Sequence, residues 1–185
     1  MEKYKENYFK KFGCTNILHI GGHMGQEIKI YDGLGLDFTF VEPIPRYANI
    51  LRSKGLNVIE AAVSNFRGVS KFNIARVSER SSLKKTTDDV ATFKKVIQVK
   101  TVKLSDIQKG FDGVSIDAQG ETFEILESGK LDFKVIICEA SITPRYKGEA
   151  SLFEIQAYLE ARDYELVDQY RHKTLDIHDL VFKKI

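Results

Sequence analysis

The sequence predicts an α/β protein: a mostly parallel central sheet, helices on both of its faces, and a C-terminal antiparallel hairpin. Three observations predict this. From Asn16 onward, short apolar runs alternate with segments of helical period. A glycine-rich turn, Gly21-Gly22-His23-Met24-Gly25, joins the first apolar run to the first helix after it. The last two apolar runs follow each other with no helical segment between them. Alternation of strand and helix implies a parallel sheet covered on both sides. A closing hairpin instead of another crossover adds one antiparallel strand.

The elements follow in order. Residues 2–12 place Tyr4, Tyr8, Phe9 and Phe12 on one face of a short helix. Residues 16–20 read as a strand, residues 26–31 as a helix ended by Asp32-Gly33-Leu34-Gly35, and residues 38–42 as a second strand stopped by Pro43. Pro45 suits the first turn of a helix that runs to a Gly55 cap. Residues 58–63 read as a third strand ending before Ser64. Residues 69–102 look like an irregular β insertion: 69–75 and 96–102 alternate like half-exposed strands around a polar stretch at 78–89. Residues 113–117 and 133–139 are buried strands, with a helix between them that runs through Leu126. Residues 150–162 form a helix with Leu152, Phe153, Ile155, Tyr158 and Leu159 on one side, and 164–167 pairs with 179–182. The expectation is a single domain over residues 1–185, with residues 1–14 as an N-terminal helix.

Composition bounds the function. The chain has 185 residues and a formal net charge of +2. That balance argues against a nucleic-acid arm or a polybasic membrane anchor. No apolar run approaches the roughly 20 residues of a membrane span, and the charged N-terminus does not read as a secretory signal. A reducing cytoplasm is the expected compartment. Two isolated cysteines, Cys14 and Cys138, make neither a disulfide framework nor a zinc site. Cys138 lies inside an apolar run and reads as a buried thiol.

Ligands of open α/β sheets bind outside the carboxyl ends of the strands, so the strand-closing residues Gly21, Glu42, Ser64, Asp117 and Glu139 are the ones to inspect. The turn fits neither a dinucleotide fingerprint nor a phosphate loop. It lacks the three spaced glycines of the first and the Gly-Lys-Ser/Thr of the second. Glu42, ending the next strand, can accept hydrogen bonds from both hydroxyls of a ribose. Together they suggest a nucleoside without a pyrophosphate, a description that S-adenosylmethionine fits. The plainer reading is a turn that packs a helix on a sheet, with Glu42 a solvated strand end.

Leu18-His19-Ile20-Gly21-Gly22-His23-Met24-Gly25, Phe40-Val41-Glu42-Pro43 and Ser115-Ile116-Asp117-Ala118-Gln119-Gly120-Glu121-Thr122-Phe123-Glu124-Ile125-Leu126 together resemble the FkbM family of S-adenosylmethionine-dependent methyltransferases. The family pattern is roughly I-G-A-x-x-G, then a strand ending in E-P, then K-I-D-x-E/Q-G-x-E-x-x-V/I-L. Ala62-Val63-Ser64 and Ser81-Ser82-Leu83 match as well, and the resemblance spans about residues 16–183. His19 stands where many methyltransferases carry an acid, and Ser115 replaces the usual lysine. Thr122 stands where the second glutamate of the pattern falls.

The resemblance implies a Rossmann-like methyltransferase fold and S-adenosylmethionine as cofactor. It also implies O-methylation of a sugar, a glycan or a small-molecule hydroxyl. The cofactor would be held by Ile20, Gly21, Gly22, His23, Gly25, Glu42, Pro43, Ala62, Val63 and Asp117. Asp117 would position the acceptor or take its proton, unless it serves as an Asx-type turn or helix N-cap before Gly120. Glu139 would orient substrate; with Asp117 alone it makes no metal site, since a third ligand is missing. His23 would touch the cofactor, act as base or cap the turn. Ser81, Ser82 and Gln119 would line the acceptor pocket, unless the serines belong to a solvated loop. His172 and His178 read as surface residues. The stretch after the fourth strand lacks the N/D-P-P-Y/F motif of enzymes that methylate DNA base amines, and no nucleic acid or membrane is expected as partner. The rival readings are N-methylation of an amine or protein, and a non-catalytic cofactor-binding module. A second subunit, as in a homo-oligomer, or a partner is expected to complete the acceptor pocket.

Overall fold

The computed structural model describes residues 4–87, 93–172 and 176–185. Helix α1 (Asn7–Lys11) precedes β1 (Asn16–Ile20), α2 (Ile28–Leu34), β2 (Asp37–Val41), α3 (Pro45–Ser53) and β3 (Asn57–Ile59). Strands β4 (Ala62–Val63), β5 (Gly68–Ala75) and β6 (Phe93–Val102) follow. Then come α4 (Leu104–Ile107), β7 (Gly113–Ile116), α5 (Thr122–Glu127), β8 (Val135–Ser141), α6 (Leu152–Glu160), β9 (Tyr164–Arg171) and β10 (Ile177–Lys184).

Seven strands form the main sheet in the order β3-β2-β1-β7-β8-β10-β9. Strand β10 runs antiparallel to both β8 and β9, while the pairs from β3 to β8 are parallel. The chain winds outward from β1 to β3 and then returns to β7 on the other side of β1. The crevice beyond the carboxyl ends of β1 and β7 is therefore the topological switch point, where such sheets take ligands.

Alternation along the strands sorts the core into two faces. Leu18, Ile20, Val114, Ile116, Ile136, Cys138, Leu180 and Phe182 face α5 and α6, packing on Ile125, Leu126, Leu152, Ile155 and Leu159. Ile17, Val135, Ile137 and Val181 face the other way, against Phe9 of α1, Tyr31 of α2 and Leu51 of α3. Gly113 makes room for that layer: a Cβ there would stand 2.7 Å from Ile17 and 2.8 Å from Phe9.

Several expectations need correcting. The N-terminal helix is only five residues long among those described, and α2 starts later and ends on Gly35 in the left-handed region (φ 67°), with Gly33 inside it. The single strand expected at 58–63 is two. The Ile59 carbonyl accepts from both Glu42 N and Ala61 N, which jogs the chain out of the main sheet, and Ala62–Val63 pair instead with Thr101 and Val102. The insertion is also more regular than expected. Strands β5 and β6 pair antiparallel over nearly their full length, with β4 on the other side of β6. Strand β8 continues to Ser141 because β10 pairs with it that far, so Glu139 lies inside the strand opposite Asp179 and does not close it. In α6 the capping box of Ser151 and Glu154 sets the start, Leu152, Ile155 and Leu159 are buried, and Phe153 faces out at 62% exposure. The hairpin strands are twice as long as expected, which buries His178.

The ends of β1 and β7 meet closely. Asp117 N donates to Ile20 O at 2.9 Å, and a Cβ on Gly21 (φ 98°) would stand 1.8 Å from Asp117 O. We expect Gly21→Ala to cost at least about 3 kcal/mol in urea unfolding, because it adds a backbone clash to a φ that L-residues avoid. A loss under about 1 kcal/mol would mean that β1 and β7 can part without penalty.

Candidate active site

A cleft of about 740 Å³, part of it open to solvent, lies beyond the carboxyl ends of β1, β2 and β7. Ile20, Gly21, His23, Gln26, Glu27, Val41, Glu42 and Pro43 form one side of it. Asp117, Ala118, Gln119 and Glu121 form its floor beside β7. Ile44, Ala61, Ala62, Val63, Phe72 and Leu83 make an apolar wall, and Ser78, Glu79 and Ser81 of the insertion close over it.

The glycine turn is shaped by backbone bonds. Gly21 N and Gly22 N both donate to Val41 O, which draws the turn against β2 and brings Glu42 beneath it. Glu42 is buried at 4% exposure. Its Oε1 accepts from Ile44 N at 2.7 Å and its Oε2 from His23 N at 2.8 Å. A carboxylate has about four acceptor sites, so two are left over. Glu42 is thus fixed and buried, not the solvated strand end of the plainer reading. Of the glycines, Gly21 lines the cleft. Gly22 and Gly25 are absent from its lining, and each is needed for packing: a Cβ on Gly22 would stand 2.8 Å from Phe40, and one on Gly25 2.4 Å from Ile28.

Across the cleft, Asp117 follows β7 directly. It is open to the cleft yet ringed by protein. Gln119, held at φ 44°, clamps it. Gln119 Nε2 donates to Asp117 Oδ1 and to Glu139 Oε1, both at 2.8 Å, and Gln119 Oε1 accepts from Tyr146 OH at 2.9 Å. Gln119 is therefore a bridge between the two carboxylates expected to act, and Glu139 stands behind it, outside the cleft lining. The Asx-type role for Asp117 is not what the structure has: its recorded side-chain partner is the Gln119 amide.

The remaining expected residues are engaged within the protein. His23 Nδ1 pairs with the Gln26 amide at 3.2 Å and Nε2 with Ser78 Oγ at 2.9 Å, and the ring packs on Tyr47. Ser81 and Ser82 are buried, so they are not part of a solvated loop. Ser81 Oγ donates to Ser78 O and accepts from Ala75 N, while Ser82 Oγ donates to Gln119 O at 2.6 Å. Ser82 thereby ties the insertion to the floor of the cleft and does not line it. His178 is buried at 6% exposure and pairs through Nδ1 with Gln169, and half-buried His172 pairs through Nε2 with Asp179 at 3.0 Å.

Sequence reading missed Glu27, Glu121, Tyr146 and the pair Lys5–Asp179, whose charges meet at 2.7 Å. For Glu121 a signal existed, since it neighbours the Asp117–Gly120 turn. Lys5 and Asp179 lie at opposite ends of the chain, and no local pattern joins them.

The sequence profile described as "Methyltransferase FkbM domain" matches residues 19–166. Among curated proteins, none matches the sequence. Solved structures do share its fold. Magnesium protoporphyrin IX methyltransferase from Synechocystis PCC 6803 with bound SAM superposes with a TM-score of 0.56 at 7% identity, over 97% of this chain and 74% of that one. The O-methyltransferase from Bacillus cereus in complex with SAH gives 0.54 at 17% identity, over 97% and 79%. The 1,6-didemethyltoxoflavin-N1-methyltransferase of Burkholderia thailandensis, with its substrate and S-adenosylhomocysteine bound, gives 0.52 at 14% identity, over 97% and 76%. The sheet order and the closing antiparallel strand are those of this Rossmann-like methyltransferase fold.

Burial governs the charges of the site. Desolvation pushes the carboxyls of Glu42 and Glu121 up to about 7, against the bonds from Ile44 N and His23 N in the first case and from Ser64 in the second. Desolvation likewise raises Asp117, and raises Glu139 well above the carboxylate range with help from the negative charges of Asp117 and Asp179. An acid raised on folding holds its proton more tightly in the folded state. The stability it contributes is therefore present below about pH 4.5 and is lost as the pH rises through 7. His19, lowered to about 4 by burial, acts in the opposite sense over part of that range. The contribution of Glu42 is isolated by comparison with Glu42→Gln. In urea titrations the variant should gain stability relative to the unmodified protein between pH 4.5 and 7. A difference that stays flat with pH would show that Glu42 ionises at its ordinary value.

Proposed function

The chain belongs to the FkbM methyltransferase domain family, and on that premise we propose that it moves the methyl group of S-adenosylmethionine to a hydroxyl of a sugar, a glycan or another small molecule. The observation that carries the reading is the pair of carboxylates on opposite sides of the glycine turn, Glu42 locked by two backbone N–H groups and Asp117 open to the cleft.

The residues present fit the cofactor. Glu42 keeps acceptor sites for a ribose diol, Gly21 brings backbone within reach of a ligand, and Ile44, Val63 and Phe72 offer an apolar wall to a base. Bound there, the cofactor supplies an electrophilic methyl on a sulfonium whose positive charge is lost on transfer.

The work of the chain is then positioning and proton acceptance. The acceptor oxygen would take the methyl group that the cofactor would supply, and the hydroxyl proton would pass to Asp117. Gln119 occupies Asp117 Oδ1, which orients the carboxylate and leaves Oδ2 for that proton. Burial raises Asp117, which makes it a better proton acceptor than a solvated aspartate. Burial, with the neighbouring charges of Asp117 and Asp179, raises Glu139 and favours its neutral form behind the Gln119 bridge.

Two variants separate these roles. Glu42→Ala should weaken S-adenosylhomocysteine at least about 100-fold in calorimetric titration, the loss of two hydrogen bonds to a charged group. Asp117→Asn should leave that affinity within a few-fold and cut methyl transfer to hydroxyl acceptors by about 10²–10⁴. Unchanged affinity in the first, or full turnover in the second, removes that residue from its role.

A further inference from the structure

The apolar end of the cleft holds a carboxylate that the proposed chemistry does not use. Glu121 precedes α5, lines the cleft and is 5% exposed. Its Oε2 accepts from Ser64 Oγ at 2.7 Å. Its Oε1 stands 4.0 Å from Lys84 Nζ, beyond hydrogen-bond range. Lys84 is committed elsewhere, to Gly120 O at 2.8 Å, Glu124 Oε1 at 2.6 Å and Gly148 O at 2.9 Å. Three bonds exhaust an ammonium, so the acceptor capacity of Glu121 Oε1 is left for something else.

Position says what that is. With a ribose on Glu42, the Gly21 and Asp117 side of the cleft belongs to the methyl-bearing end of the ligand. The base must then lie on the other side, toward the Ala62–Val63 wall, and Ser64, which holds Glu121, directly follows that wall. A purine gives its flat faces to apolar side chains and its edge to a few polar groups. Ser81 is a poor candidate for the edge, because its hydroxyl already donates to Ser78 O and accepts from Ala75 N.

We infer that Glu121 reads the base of the nucleoside: its Oε1 accepts from the exocyclic amine of adenine and excludes hypoxanthine, which carries a carbonyl oxygen at that place. The inference rests on the cofactor reading above and deepens it. A base with oxygen there sets acceptor against acceptor in a buried site, where an unmade hydrogen bond carries its full desolvation cost. Lys84 of the insertion is held by Gly120, Glu124 and Gly148, and faces Glu121 at 4.0 Å without a hydrogen bond to it.

The test is calorimetric titration of the full chain with S-adenosylhomocysteine and S-inosylhomocysteine at pH 8, above the value of about 7 to which burial raises Glu121. The inosyl compound should bind about 30-fold more weakly, the effect of one hydrogen bond to a charged group. In Glu121→Gln the preference should fall below about fivefold, because the amide turns either oxygen or nitrogen toward the base. Equal affinity of the two compounds for the unmodified protein, or an undiminished preference in the variant, overturns this inference and leaves the cofactor reading standing. Binding of neither compound overturns both.

Discussion

The site depends on the close approach of two strand ends. Gly21 passes over the carbonyl of Asp117 with no space for a Cβ, while its own N–H, with that of Gly22, is held by the Val41 carbonyl. The carboxyl ends of β2, β1 and β7 are thereby drawn to one rim, and Glu42, Gly21 and Asp117 follow from where those strands stop. Backbone bonds fix the rim, and the side chains inherit its geometry. The glycine turn also shows how packing and ligand access share one motif. Gly21 faces the cleft, whereas Gly22 and Gly25 make room for Phe40 and for Ile28 with Leu51.

Beside that rim, on the α1 face of the sheet, the core turns polar. Glu6, His19, Ser115 and Asp179 are buried there, with Glu27 and Glu139 nearby and Lys5 bonded to Asp179. Burying so many carboxylates is costly unless charge is paired or given up. Both occur. Lys5 supplies an ammonium that is raised by Asp179, and desolvation holds Glu6, Glu27 and Glu139 toward their neutral forms. Asp117 is also raised, but it opens to the cleft. With Glu27, it is a member of this group that lines the cleft and can meet a ligand.

The fold was legible where period and turn chemistry act locally. Strand β1 falls on the residues that its apolar run predicts, and Pro45 starts α3 where its fixed φ and missing N–H are harmless. The errors fall where a distant partner decides. Val58 to Val63 reads as one strand until the Ile59 carbonyl takes two donors, and Glu139 reads as a strand end until β10 extends the pairing to Ser141. The site followed the same division. Glu42 and Asp117 are legible because each sits one residue past a recognisable strand. The Gln119 bridge, the burial of Ser82 and the Lys5–Asp179 pair require knowing which loops and termini meet, and adjacency in sequence says nothing about that.

The two departures, at His19 from the acid of many methyltransferases and at Ser115 from the family lysine, fall side by side. These residues are direct partners in the β1–β7 register and are buried together on the α1 face. An acid at the first position and a lysine at the second would stand side by side as a buried ion pair. Here both are neutral: burial holds His19 uncharged, with Nδ1 paired to Tyr31 OH at 2.8 Å. Losing only one member would have stranded a charge in the core at a cost of about 3–5 kcal/mol, whereas losing both is nearly neutral. A cation does reach this face from outside the sheet, as Lys5 of the N-terminal segment meets Asp179. Next to the His19–Ser115 pair, Ile20 O accepts from Asp117 N and holds the rim on which Glu42 and Asp117 stand. The departures thus alter how the sheet is neutralised beneath the site, and the cleft keeps both carboxylates on which methyl transfer would depend.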